Sequence, residues 1–394
     1  MAYRSRCWFS QIFFRARFFF RAQGLFLAQG LFLARVYWLR AGLLMGLVWG
    51  FGWAIGSVAP AWLQGTSAGT APRVTRLAHQ QPSAPDELQE LARGTFGVLA
   101  PVTDVERANP VAQLGQALFW DPRLSVNGRI ACASCHVAKD GGADRRRFSV
   151  DAKDRPTQRH SQTVFNATLQ PKLRWIADRQ SAAEQAEKSL TGSMGFRDAA
   201  EVLPLLEQHG YAARFETAFP HAEQPLTTGH YAEAIAAYEQ TLRTPSVFDQ
   251  YLEGQADVLS EAQGRGLQTF LEIGCADCHA GPLLGGEQLQ RFGVYRDYWL
   301  ATGSERRDAG RFASTQEPLD RNVFRVPMLR NIAETAPYFH DGSVAELEQA
   351  VRIMAELQLG LELTAAQIGD LVAFLQSLSG EVPANYRDPR QVAR

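Results

Sequence analysis

The strongest constraint on this chain is a five-residue spelling, C-x-x-C-H, that occurs twice. Cys132, Cys135 and His136 stand in "RIACASCHVAK", and Cys275, Cys278 and His279 in "GCADCHAG". Three chemistries use cysteines spaced this way: a redox dithiol, half of a zinc site, and covalent attachment of haem. A thioredoxin-like dithiol expects a βαβ context and leaves both histidines without a role. A four-cysteine zinc site usually has its pairs about 15–20 residues apart, whereas 139 residues separate Cys135 from Cys275. Haem attachment employs every position: two thiols add across the vinyl groups, and the adjacent imidazole reaches the iron. The remaining cysteine, Cys7, lies near the N-terminus, so the body has none left over for disulfides. The pattern predicts two covalently bound haem c groups.

Charge and hydropathy separate a leader from that body. Residues 1–61 hold seven arginines and no acid, which leaves the rest of the chain at a net −8. A mildly acidic body argues against a nucleic-acid partner and suits a basic protein partner. The run "AGLLMGLVWGFGWAIGSVAPAWL" (41–63) follows Arg35 and Arg40. It is long enough for a signal peptide or a membrane anchor, with the arginines on the cytoplasmic side. Residues 1–63 are read as this leader, with translation starting near Val36, after the near-tandem repeat of residues 1–34. The Gly-, Ser-, Pro- and Gln-rich stretch that follows is expected to be a flexible linker over 64–95.

Helix signals surround both motifs. Asn109 and Pro110 start one helix, with Leu114, Leu118 and Phe119 on its apolar stripe. Ser260 and Gln263 form a capping box before Leu267, Phe270 and Leu271, and Gly274 stops that helix at Cys275. Thr364 and Gln367 open another, whose Ile368, Leu371, Val372, Leu375 and Leu378 share a face. Residues 230–245 read as a helix with Ile235, Tyr238 and Leu242 inward. No segment alternates for long, so the class is mainly α. Two cytochrome c-like haem domains are expected, 96–255 and 256–394.

The stretches "LGQALFWDPRLS", "TVFNA", "AEQA", "AIAAYEQTLRTP", "GLQTFLEIGCADCH", "VPMLRNIAETAPYFHDGS" and "AVRIM" resemble the bacterial di-haem cytochrome c peroxidases, the family that includes MauG. The resemblance spans Asn109 to Gly380. It implies a periplasmic oxidoreductase that reduces hydrogen peroxide with electrons from a small donor such as a cytochrome c or a cupredoxin; a homodimer is compatible with it. The haem on Cys132, Cys135 and His136 would be peroxidatic, and the one on Cys275, Cys278 and His279 would transfer electrons. Met354 would be the second axial ligand of the latter, where MauG-like members carry tyrosine; a thioether raises the potential. Trp175 matches the tryptophan between the haems, and Gln185 a glutamine on the peroxide side. Thr335 and Pro337 match positions whose carbonyls hold calcium, and His340 a histidine near the second haem.

The chain departs from the family at three places. The removable histidine that closes the resting peroxidatic haem aligns with Ala152, so that iron is expected to be open at rest, with His160 the one nearby histidine that could swing in. His160 itself stands at the calcium-ligating asparagine. The catalytic glutamate aligns with Ser193, in a segment two residues shorter than the family's. General acid–base help of that kind contributes roughly 10²–10⁴ in rate, and a serine hydroxyl is a poor base; Glu184 and Glu187 are the candidate substitutes. Two alternatives to the peroxidase therefore stand beside it: MauG-like oxidation of a partner protein, and a non-enzymatic di-haem electron carrier or redox sensor.

Overall fold

Helix α1 begins at Pro85, inside the expected linker. The computed structural model describes residues 85–392; the leader, and the linker up to residue 84, lie outside the described residues. α1 (Pro85–Thr95) corrects the linker's expected end. Its Leu88 and Ala92, with Phe96 one turn on, recur at helical spacing and are all buried. That stripe gives residues 85–95 an apolar face to dock, which a flexible linker lacks.

A first apolar core gathers α2 (Pro110–Phe119), α3 (Ala182–Thr191) and α4 (Thr228–Gln240). Asn109 caps α2, its side-chain oxygen accepting the Val111 N–H at 2.9 Å, and Pro110 takes the first helical position. α4 stops at Gln240, short of the expected 245, because Pro245 disfavours helical backbone before it and has no N–H to donate. A second core gathers α1, α5 (Val247–Leu252), α6 (Glu261–Glu272), α7 (Leu347–Met354) and α8 (Ala365–Gln376). Both expected capping boxes form, on Ser260–Gln263 and Thr364–Gln367. In α8 the buried face is Ile368, Leu371, Phe374 and Leu375, while Val372 is only half-buried.

One device is used twice. Gly115 of α2 meets the Ala234 carbonyl of α4, and Gly266 of α6 meets the Asp370 carbonyl of α8. In each case a Cβ would fall inside the carbonyl oxygen's contact shell and would also press on a side chain four residues further on, Tyr238 or Phe374. Each helix leading into a C-x-x-C-H unit is thus packed backbone to backbone against a later helix.

The only strands among the described residues are β1 (Leu289–Arg291) and β2 (Val323–Arg325), antiparallel, with Leu289 opposite Arg325. The mainly α class stands. Buried polar groups tie the two cores together. The Thr244 hydroxyl accepts from both Asn166 and Asn331 at 2.8 Å. Arg330 forks onto Asp249 at 2.6 and 2.7 Å, and the Leu99 N–H adds a third bond to that carboxylate. Removing one partner of such a buried pair typically costs about 3–5 kcal/mol. The C-terminal tail returns to the first core rather than staying with the second. Tyr386 is buried against Phe165 and Phe119, with ring centroids 4.8 and 5.8 Å away, and Arg390 pairs with Asp121 at 3.1 Å.

Candidate functional site

Both C-x-x-C-H units fold into the same single 3-10 turn, Cys132–Ser134 and Cys275–Asp277. In the first, the N–H groups of Cys135 and His136 both donate to the Cys132 carbonyl at 3.1 Å. In the second, Cys278 and His279 donate to the Cys275 carbonyl at 3.3 and 3.0 Å. Gly274 enters the second turn at φ +92°, which glycine adopts without strain. All four cysteines are free thiols, and burial pushes those of Cys132 and Cys275 up to about 12. Neither pair is joined as a disulfide. No group of three or more His, Cys, Asp or Glu among the described residues is placed to hold a metal ion, so the four cysteines do not assemble a zinc site.

The two histidines are held alike. His136 Nδ1 lies 3.1 Å from the Gly142 carbonyl, and His279 Nδ1 lies 3.1 Å from the Leu284 carbonyl. A carbonyl only accepts, so Nδ1 carries the proton and the Nε2 lone pair is left free for a metal. Burial lowers both pKa values, that of His279 to about 4, keeping the rings neutral. These are the residues and protonation states that haem c requires.

Around the second motif lies a cavity of about 240 Å³. Cys275, Cys278, His279 and Met354 line it together, with Phe270 and Leu371 among its apolar walls. Met354 ends α7 where the chain passes into a π-helical turn, Ala355–Leu359; such turns often mark functional sites. The expected ligand pair thus shares one cavity. Trp175 lines it too, its indole N–H donating to the His160 carbonyl at 2.8 Å. Residues 160–163 form part of the same wall, and the Gln162 backbone carbonyl also faces the His136 ring. This segment therefore stands between the second cavity and the first histidine, and Trp175 is hydrogen-bonded to it. His340 is buried on the wall, stacked on Phe324 at 4.3 Å.

Thr335 and Pro337 line this cavity with His160. The His160 Nε2 is buried without a partner among the described residues. Calcium takes oxygen ligands, and a neutral ring nitrogen at this position is a poor match for it. His160 is tied to two backbone carbonyls. Its N–H donates to the His340 carbonyl at 2.7 Å, and its Nδ1 lies 3.0 Å from the Arg146 carbonyl.

At the first site, Cys132 packs against the first core. Gln185, on α3, has a buried Oε1 with no partner among the described residues; a buried acceptor left unpaired points to a ligand. Ala152 is buried and offers only a methyl group, and Ser193 is half-buried just past α3. The two candidate substitutes for the missing glutamate are engaged elsewhere. Glu184 accepts the Gln180 N–H at 2.6 Å, and Glu187 accepts the Thr228 hydroxyl at 3.2 Å.

Three further residues were not singled out from the sequence. The Glu239 carboxyl, on α4, is pushed up to about 8 by burial and acts electrostatically on the Cys132 thiol. Tyr386 donates its hydroxyl to the His136 backbone carbonyl at 2.6 Å. Arg325 lines the second cavity. Glu239 carried one legible signal, its place next to Tyr238 on an otherwise inward-facing turn; the others carried none.

Residues 109–257 match the family model described as di-haem cytochrome c peroxidase. The cytochrome c551 peroxidase of Pseudomonas aeruginosa is 39% identical over 311 residues, covering 76% of this chain and 88% of that protein. The methylamine utilization protein MauG of Methylophilus methylotrophus is 28% identical over 288 residues, 68% of this chain and 82% of that protein. Among solved structures, a MauG-like protein associated with microbial copper homeostasis superposes with a TM-score of 0.65 at 29% identity. That match covers 75% of this chain and 98% of the other.

Proposed function

This chain belongs to the di-haem cytochrome c peroxidase family, and on that premise we propose that it reduces hydrogen peroxide at a haem held by Cys132, Cys135 and His136, with electrons entering through a second haem held by Cys275, Cys278 and His279. It is an oxidoreductase of the cytochrome-c peroxidase type. The observation that carries the division of labour is the difference between the sites. His279 and Met354 line one cavity, and both would be available there to hold a haem iron. The resemblance assigns Ala152 and Gln185 to the first site, where Ala152 would offer no ligating atom and Gln185 has a buried oxygen without a partner among the described residues.

When bound, the haems supply electron transfer and cleavage of the peroxide O–O bond. The chain's own residues set the conditions. The Gly142 and Leu284 carbonyls orient the two imidazoles, and the apolar walls keep water from the second site. Gln185 would hydrogen-bond peroxide, and Ser193 would add a hydroxyl partner without acting as a base at neutral pH. Trp175, its indole pinned to His160, would relay electrons between the sites. Met354, where MauG-like members carry tyrosine, favours peroxidase-type electron transfer over oxidation of a partner protein. The apolar run 41–63 behind Arg35 and Arg40 supports a periplasmic location, and the acidic body suits a basic cytochrome c or cupredoxin donor.

The test is steady-state oxidation of a reduced small cytochrome c by peroxide, using purified protein shown to hold two haems and given no pre-reduction. Turnover is expected. No turnover with several donors would overturn the peroxidase reading.

A further inference from the structure

We propose that Arg325 holds a carboxylate of the prosthetic group seated against His279, a haem propionate. Arg325 ends β2, is 2% exposed, and lines the cavity with Cys275, Cys278, His279 and Met354. Its guanidinium touches only neutral acceptors. Nε donates to the Arg174 carbonyl at 3.0 Å, one terminal nitrogen to Gln162 Oε1 at 3.0 Å, and the other to Gln170 Oε1. None of the ion pairs among the described residues includes it. Burial alone drags its pKa down to about 10.

The contrast with the other buried arginines is informative. Arg330 is neutralised by the fork onto Asp249, and Arg159 by Asp308 at 2.6 Å. Arg330 lines the same cavity and has its carboxylate, so Arg325 is the buried guanidinium on this wall left without one among the described residues. A guanidinium has five N–H donors. Three are used, which leaves one N–H on each terminal nitrogen free to donate to a carboxylate. The same residue fixes Trp175, since the Arg325 backbone N–H donates to the Trp175 carbonyl at 2.7 Å. One side chain and its own backbone would thus join the carboxylate to Trp175.

The proposal rests on haem c occupying this cavity, a reading checked separately by counting haems per chain. The experiment compares wild type, Arg325→Gln and Arg325→Lys, each loaded with haem whose carboxylates carry heavy carbon. It reads the midpoint potential of each haem and the infrared difference spectrum on reduction. In Arg325→Gln the second haem's potential falls, the first stays put, and the labelled carboxylate band shifts. In Arg325→Lys the charge remains, so the potential stays near wild type, while the band still shifts because the planar fork is gone. Unchanged bands in both variants, or a potential that moves as far in Arg325→Lys as in Arg325→Gln, would overturn the proposal. Should Arg325→Gln not hold both haems, the band shift between wild type and Arg325→Lys decides alone. A wild type with one haem would sink the underlying reading instead.

Discussion

Ala152 donates its backbone N–H to the Ser193 carbonyl at 2.8 Å. Two positions that the resemblance marks as departures from the family are therefore hydrogen-bonded neighbours. Gly195 adds to the fit: at φ +85° it leaves room for the Ala152 methyl, which a Cβ there would approach to 3.3 Å. The loop that would carry a removable histidine is tied to the turn that would carry a catalytic glutamate. Restoring each residue separates their roles. Ser193→Glu is expected to raise kcat/KM for peroxide by up to about 10²-fold, the lower end of acid–base assistance. Ala152→His is expected to give a low-spin ferric first haem that needs pre-reduction. Stopped-flow kinetics and electron paramagnetic resonance read the two outcomes.

Met354 predicts the gap between the two potentials. Replacing it with alanine removes the thioether that favours ferrous iron, so the second haem's potential should fall by on the order of 0.1 V, within the roughly 0.8 V that axial ligands span. Turnover with reduced cytochrome c should fall with it. A redox titration that finds the potential unmoved would remove Met354 from the ligand set.

Glu239 gives a pH dependence with a definite sign. Burial raises its carboxyl from 4.5 to about 8, so between those values the unfolded chain is ionised there and the folded chain is not. Stability from this group is complete below pH 4.5 and is lost as pH rises through 8. Glu239→Gln should remove that loss. Its advantage in Tm over wild type should grow from nothing near pH 4.5 to a plateau above pH 8, worth a few kcal/mol at about 1.4 per unit. Equal pH profiles for the two proteins would refute this.

His160 predicts a gain of metal binding. His160→Asn returns an oxygen donor beside Thr335 and Pro337. Titration calorimetry should detect calcium binding by the variant, and calcium should raise its Tm while leaving the wild type unmoved. Equal calcium responses in the two proteins would show that the imidazole is not what disfavours the ion.

What the sequence made legible was whatever depends on near neighbours. The caps at Asn109, Ser260 and Thr364 follow from contacts two or three residues away, and the C-x-x-C-H turns from four. Met354 was legible through the resemblance alone, since nothing local marks a methionine as facing a cavity. The rest depends on distant partners. Gly115 looks like a weak helix residue until Ala234 arrives against it. Arg325 differs from Arg330 only in lacking an Asp249, a fact of tertiary structure. β1 and β2 are three residues each, too short to show alternation, and exist because they pair.

The return of the tail to the first core has a consequence for the order of assembly. Tyr386 is made 250 residues after His136, and Arg390 269 residues after Asp121, yet they close on those two. The first C-x-x-C-H unit is therefore made early and stays open on that side until residues 386–390 follow. Haem attachment at Cys132 and Cys135 would have that interval in which to occur before Tyr386 closes over the histidine's backbone. A chain without residues 386–390 would carry both attachment motifs and still leave the first site unfinished.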